Sequence, residues 1–172
     1  QELLSLGITS IQDASPENDW ERWRMFQRWK KDGSLKCRLS LMLGVKGFKQ
    51  YQEEGLPPDM DGSGIHLGGV KIILQETTGQ LSPRWEELKP LASRIHQSNL
   101  QIAFHAIGET TVEAACSVLE HVLRESPRPD HRHRIEHCSV CQFEIAKRLA
   151  SLGIMVVTQP AFIYYNGERY LK

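Results

Sequence analysis

Two histidines stand at the same place in two consecutive units of this chain. His105 closes the apolar run QIAF and His137 closes HRIE, and each precedes a helical pattern. Imidazole is the commonest metal ligand and changes charge near neutral pH. At the ends of neighbouring strands, about 5 Å apart, two such rings could share one metal ion or flank a reacting group. Taken singly, each reads as a hydrogen-bonded structural histidine; the repetition points to a site. Lys71 lies one strand earlier, inside GVKIIL. An ammonium within an apolar strand is costly to bury unless it is paired, ligated or modified, and the alternative is a side chain that snorkels to the rim.

Three carboxylates flank these positions. Asp13, at the end of the first strand, could accept a hydrogen bond from a site residue or anchor a loop. Glu109 follows Gly108 at a helix start, where a carboxylate suits the free N–H groups; orienting a histidine is its sharper role. Glu136 should point away from His137, since side chains alternate along a strand, and should pair with Arg132, Arg134 or a neighbouring helix. The remaining motifs argue less. CSVC (138–141) has no second Cys pair at zinc-knuckle distance and reads as ordinary burial. DHRHR is basic but lacks interleaved aromatics, so no nucleic-acid surface is expected. The glycines of DGSGIHLGG match neither a P-loop nor a dinucleotide fingerprint.

The elements that must hold these residues alternate. Strands are expected at Ile8 to Gln12, Lys36 to Leu43, Val70 to Leu74, Gln101 to Phe104, Arg134 to Glu136 and Ile154 to Val157. Helices are expected from Asp19 to Lys30, with Trp20, Trp23, Phe26 and Trp29 on one face as packing, from near Ser82 with an interruption at Pro90, from Thr110 with Glu113 as a capping box, and from Gln142 to Leu152. Residues 44–69 read as an irregular connection, and the segment after VVTQP shows no closing element. Strand–helix alternation predicts parallel strands joined by crossovers, with site residues at the strands' carboxyl ends. His105 and His137 occupy that position.

With 172 residues, 40% of them hydrophobic, the chain can bury one real core. Its 21 basic and 21 acidic side chains cancel, so no global field draws nucleic acid or an anionic membrane. No apolar run reaches the ~18 residues of a membrane span, and no signal peptide is legible. Four cysteines are too few for a disulfide scaffold. A soluble protein of a reducing, cytoplasmic compartment is expected.

GITSIQDAS, GVKIIL, FHAIGETTVEAACSVLE, HRIEHCSV and GIMVVTQPAFI, in that order, make the chain resemble the amidohydrolase superfamily of metal-dependent hydrolases. The resemblance is to its family 3 branch, with N-substituted formamide deformylase and exoenzyme-regulatory-like proteins. It implies a (β/α)8 barrel and a divalent metal, usually zinc. Lys71, often carboxylated in the family, would take the fourth-strand position, His105 the fifth and His137 the sixth. It implies hydrolysis of a small-molecule, amide-type carbon–nitrogen bond. No first-strand His-x-His pair and no terminal eighth-strand aspartate are present, and Glu109 stands where the branch commonly has Asp. Residues 1–172 are therefore expected to be a central fragment of one barrel domain, a partial TIM barrel of roughly strands two to seven. As isolated it should be inactive, bind zinc weakly or not at all, and associate as a homodimer through its exposed sheet edges. A doubly wound α/β binding domain and a non-catalytic scaffold piece are the alternatives.

Overall fold

The computed structural model describes residues 2–55 and 64–170. It divides into two compact units, Gln1–Lys71 and Ile72–Lys172.

In the first unit a short helix α1 (Glu2–Ser5) leads into β1 (Ser10–Asp13), α2 (Trp20–Lys31), β2 (Arg38–Leu43), α3 (Val45–Glu54) and β3 (Ile65–Ile73), the last running on into the second unit. The expected aromatic stripe on α2 is core. Trp20, Trp23 and Phe26 pack with Leu39, Leu41, Leu43 and Ile65, while Trp29 is exposed. Alternation along β2 explains the match: Leu39, Leu41 and Leu43 fall on one face and Ser40 on the other. Asp19 starts α2, accepting hydrogen bonds from the backbone N–H groups of Glu21 and Arg22.

Two expectations fail in this unit. Residues 45–54 form α3 instead of irregular chain: Gly44 caps it because a Cβ there would collide with the Pro16 carbonyl. The rest of the expected connection, 56–63, lies outside the described residues. The third strand also begins at Ile65, five residues before the expected Val70. Leu41 pairs with Leu67 and Met42 with Gly69, so Gly68 is the extra residue of a bulge. A Cβ at Gly68 would meet Ser40 Oγ at 2.5 Å. The glycine pair at the end of the expected irregular connection is a kink within a strand.

The second unit contains a hairpin, β4 (Gln75–Thr77) and β5 (Gln80–Ser82), then α4 (Trp85–Gln97), β6 (Ile102–Ala106), α5 (Glu109–Glu125), β7 (Arg134–His137), α6 (Phe143–Ser151), β8 (Met155–Val157) and α7 (Ala161–Tyr170). Leu88, Ala92 and Ile95 of α4, Val112, Ala115, Cys116 and Leu119 of α5, and Phe104 and Ile135 of the strands are buried. Here too the sequence misleads in places. Ser82 ends the hairpin, so α4 starts at Trp85 and runs unbroken past Pro90. α5 starts at Glu109, which moves Thr110 off its cap; Glu113 bonds Ser117 and Arg148 instead. Residues 161–170 close as a helix.

The strands of the main sheet follow the order β1-β2-β3-β6-β7-β8. Pairing is parallel in β1–β2, β2–β3, β6–β7 and β7–β8. This is the α/β order of consecutive strands in a partial (β/α)8 barrel. A doubly wound domain needs a reversal in strand order, and among the described strands there is none. Among the described residues no helix is long and apolar enough to cross a membrane.

DHRHR turns its histidines inward. His131 and His133 are buried, and Arg132 pairs with Asp130. Hydrogen-bond roles are fixed around His133. Ile102 N–H donates to its Nδ1, so its Nε2 carries the proton toward His96 Nδ1, and His96 Nε2 donates in turn to the Ser126 carbonyl. His131 Nδ1 accepts from His133 N–H while its Nε2 donates to the Leu152 carbonyl. This neutral chain fastens the loop before β7 to α4 and β6.

Candidate metal centre

His105 lies on β6, and its backbone carbonyl accepts from Leu74 N–H. His137 ends β7 but pairs in register with Ala106, while His105 pairs with Glu136. A regular strand would therefore put the His137 ring on the Ala106 face, opposite to His105. It does not continue regularly. His137 has φ +74° and Cys138 φ +48°, a left-handed conformation that costs a non-glycine residue about 1–3 kcal/mol and clusters at functional sites. The turn brings the rings together: their centroids lie 4.5 Å apart at an interplanar angle of 71°. Cys138 N–H donates to the Ala106 carbonyl and Val140 N–H to that of Ile107, which hold the turn.

Two groups absent from the sequence reading complete the surroundings of His137. Its Nδ1 lies 2.6 Å from Gln159 Oε1, and the Phe162 ring stacks on it with centroids 5.5 Å apart. Gln159 follows β8 as the histidines close β6 and β7, and that shared position was the signal available in VVTQP. His105 and Phe162 also line a cavity of about 640 Å3 with Leu74, Ile107 and the hairpin residues Gln75 and Glu76.

Each of the other candidates has partners of its own. Lys71 is 5% exposed on β3, in the first unit. Asp13, in the same unit, anchors its loop, accepting from Ser15 N–H and Asn18 Nδ2. Burial opposes its ionisation, but those hydrogen bonds outweigh it and hold the carboxyl below its ordinary range. Glu109 begins α5 and accepts from Gln142 Nε2, tying α5 to the cap of α6. Glu136 pairs with Arg134 at 2.7 Å, one of the partners expected. Cys138 and Cys141 are free thiols; burial, then the neighbouring Cys141, pushes the Cys138 thiol up to about 12, which disfavours the thiolate that metal or redox chemistry needs.

Two adjacent imidazoles, one of them in the wall of a cavity, fit part of the donor set of a divalent metal. Zinc takes three or four protein ligands, and among the described residues no three His, Cys, Asp or Glu side chains gather to complete a shell.

The amidohydrolase family matches residues 1–172. Two solved structures, each of an uncharacterized metal-dependent hydrolase, share the fold. That from Pyrococcus furiosus has a TM-score of 0.78 and 23% identity, covering 96% of this chain and 37% of its own. That from Pyrococcus horikoshii OT3 has a TM-score of 0.77 and 23% identity, covering 94% and 35%. Protein LONG AFTER FAR-RED 3 of Arabidopsis thaliana is 25% identical over 126 residues, 63% of this chain. The chain spans 22% of the length of that relative.

Proposed function

The chain belongs to the amidohydrolase family, and from that membership we propose that His105 and His137 are two ligands of a divalent metal, zinc, in a hydrolase of small-molecule, amide-type carbon–nitrogen bonds. The observation that carries this reading is the 4.5 Å approach of the two rings at adjacent strand ends, obtained at the expense of left-handed backbone at His137. Lys71 is proposed as a third ligand, through a carbamate on its amine, on the strength of the family resemblance. A divalent ion, when bound, lowers the pKa of a coordinated water from ~16 to about 7 and polarises a carbonyl oxygen. This chain's residues supply the imidazoles, and Leu74, Ile107 and Phe162 supply apolar surface in the cavity wall. Asp13 and Glu109 serve by holding loops beside the strand ends.

Activity belongs to the whole protein in this reading, and residues 1–172 alone hydrolyse no amide. The free cysteines suit a reducing, cytoplasmic compartment. The exposed strand β8 supports association of two copies through sheet edges. Neither nucleic acid nor a membrane enters the reading. Elemental analysis of dialysed protein, beside a zinc titration, tests it. Weak zinc binding that disappears in the His105→Ala, His137→Ala double variant is expected. Zinc retained by the double variant would place the metal on other residues.

A further inference from the structure

We propose that Gln159 is the positioning residue of His137: its side-chain carbonyl accepts the Nδ1 proton, fixes that tautomer, and leaves the Nε2 lone pair as the free acceptor of the ring. This rests on the reading of His137 as a metal ligand. A neutral imidazole carries one N–H, so the partner of one nitrogen decides what the other can do. The Nδ1 to Oε1 distance is 2.6 Å, a short hydrogen bond to a group that adds no charge beside the site. Ring orientation is constrained from two further sides, by the Phe162 ring stacked at 13° and by the His105 ring at 71°.

The need for such a clamp follows from the backbone. His137 leaves regular strand geometry at φ +74°, so β7 does not by itself dictate where the ring points. Gln159, 22 residues later and just past the neighbouring strand β8, makes the ring's direction depend on the adjacent unit. The groups that orient a ligating histidine commonly act through its second nitrogen. The hydrogen bond places Gln159 in that relation to His137.

The experiment is a long-range 1H–15N correlation spectrum of metal-free chain carrying 15N-histidine, recorded at pH 8, with the His137 signal identified by its loss in His137→Asn. The expected result is the Nδ1–H tautomer for His137 in the unsubstituted chain and in Gln159→Glu, which keeps an acceptor. Gln159→Leu should revert to the Nε2–H form that free imidazole favours. Signals of His96 and His133, held in their own network, report whether each variant is folded. An Nε2–H His137 in the unsubstituted chain, or a tautomer unmoved by Gln159→Leu, overturns the proposal. Adding zinc separates the two readings: a His137 that shows the expected tautomer yet ignores zinc would sink the ligand assignment and leave the clamp standing.

Discussion

Acid should loosen the second unit through His133 well before it titrates any carboxylate. His133 is fully buried, and its Nδ1 is occupied by the Ile102 N–H, so a second proton has no acceptor to meet. Desolvation, with the Arg128 guanidinium adding to it, pushes its pKa down to about 2 from 6.5. In the unfolded chain the ring protonates freely near 6.5. The unfolded state therefore binds more protons between those two values, and stability rises with pH across that window. It is complete above about 6.5 and falls by about 1.4 kcal/mol for each unit below. At pH 4.5 the loss reaches about 3 kcal/mol, a large share of the roughly 5–15 kcal/mol that holds a domain together. Urea unfolding followed by circular dichroism at pH 7, 6, 5 and 4.5 measures it. His133→Gln supplies the control. A Gln amide can donate to His96 but leaves Ile102 N–H unsatisfied, costing roughly 1–3 kcal/mol at pH 7. Its slope across the window should then be shallower, set by His96, whose pKa burial also lowers, so the two curves should converge as pH falls. An unsubstituted chain equally stable at pH 6.5 and 4.5, or a variant with the same slope, would refute the reasoning.

Asp19→Ala removes the cap of α2 and the partner of Lys46, and should lower the urea-derived stability by about 1–2 kcal/mol, since the Lys46 end is exposed and adds little. Cys116 is buried with its thiol pushed up to about 11 by desolvation, and Cys138 stands higher still; both should resist iodoacetamide at pH 8 until urea is added, as mass spectrometry of the labelled peptides would reveal. On β8, Met155, Val156 and Val157 are all exposed. Sedimentation should find the chain dimeric, with Val156→Lys shifting it toward monomer, and a monomer at every concentration would count against pairing through that edge.

The alternation of the strands was legible because apolar runs ending in polar residues survive as signals even when the ends move. β6, β7 and β8 lie within two residues of their expected bounds. What the sequence concealed depended on distant atoms. Gly68–Gly69 reads as the end of an irregular connection and is a bulge, where Ser40 Oγ leaves no room for a side chain at Gly68. Pro90 looks like a break, yet the buried face of Leu88, Leu91, Ala92 and Ile95 holds the helix through it. The site divides the same way. His105 and His137 could be picked out by repetition at strand ends, but their register differs by one residue, and nothing local announces the left-handed turn that reunites the rings. Gln159 escaped because a lone amide after a strand carries no chemistry until its partner is known.

The claim that His105 and His137 form a metal-binding pair is tested most directly by titrating 15N-histidine chain with zinc and following every imidazole. His105 and His137 should respond together and weakly, with both responses abolished by either His105→Ala or His137→Ala, while buried His96, His131 and His133 stay unmoved. Zinc responses confined to other histidines, or a His137 response that survives His105→Ala unchanged, would contradict the account.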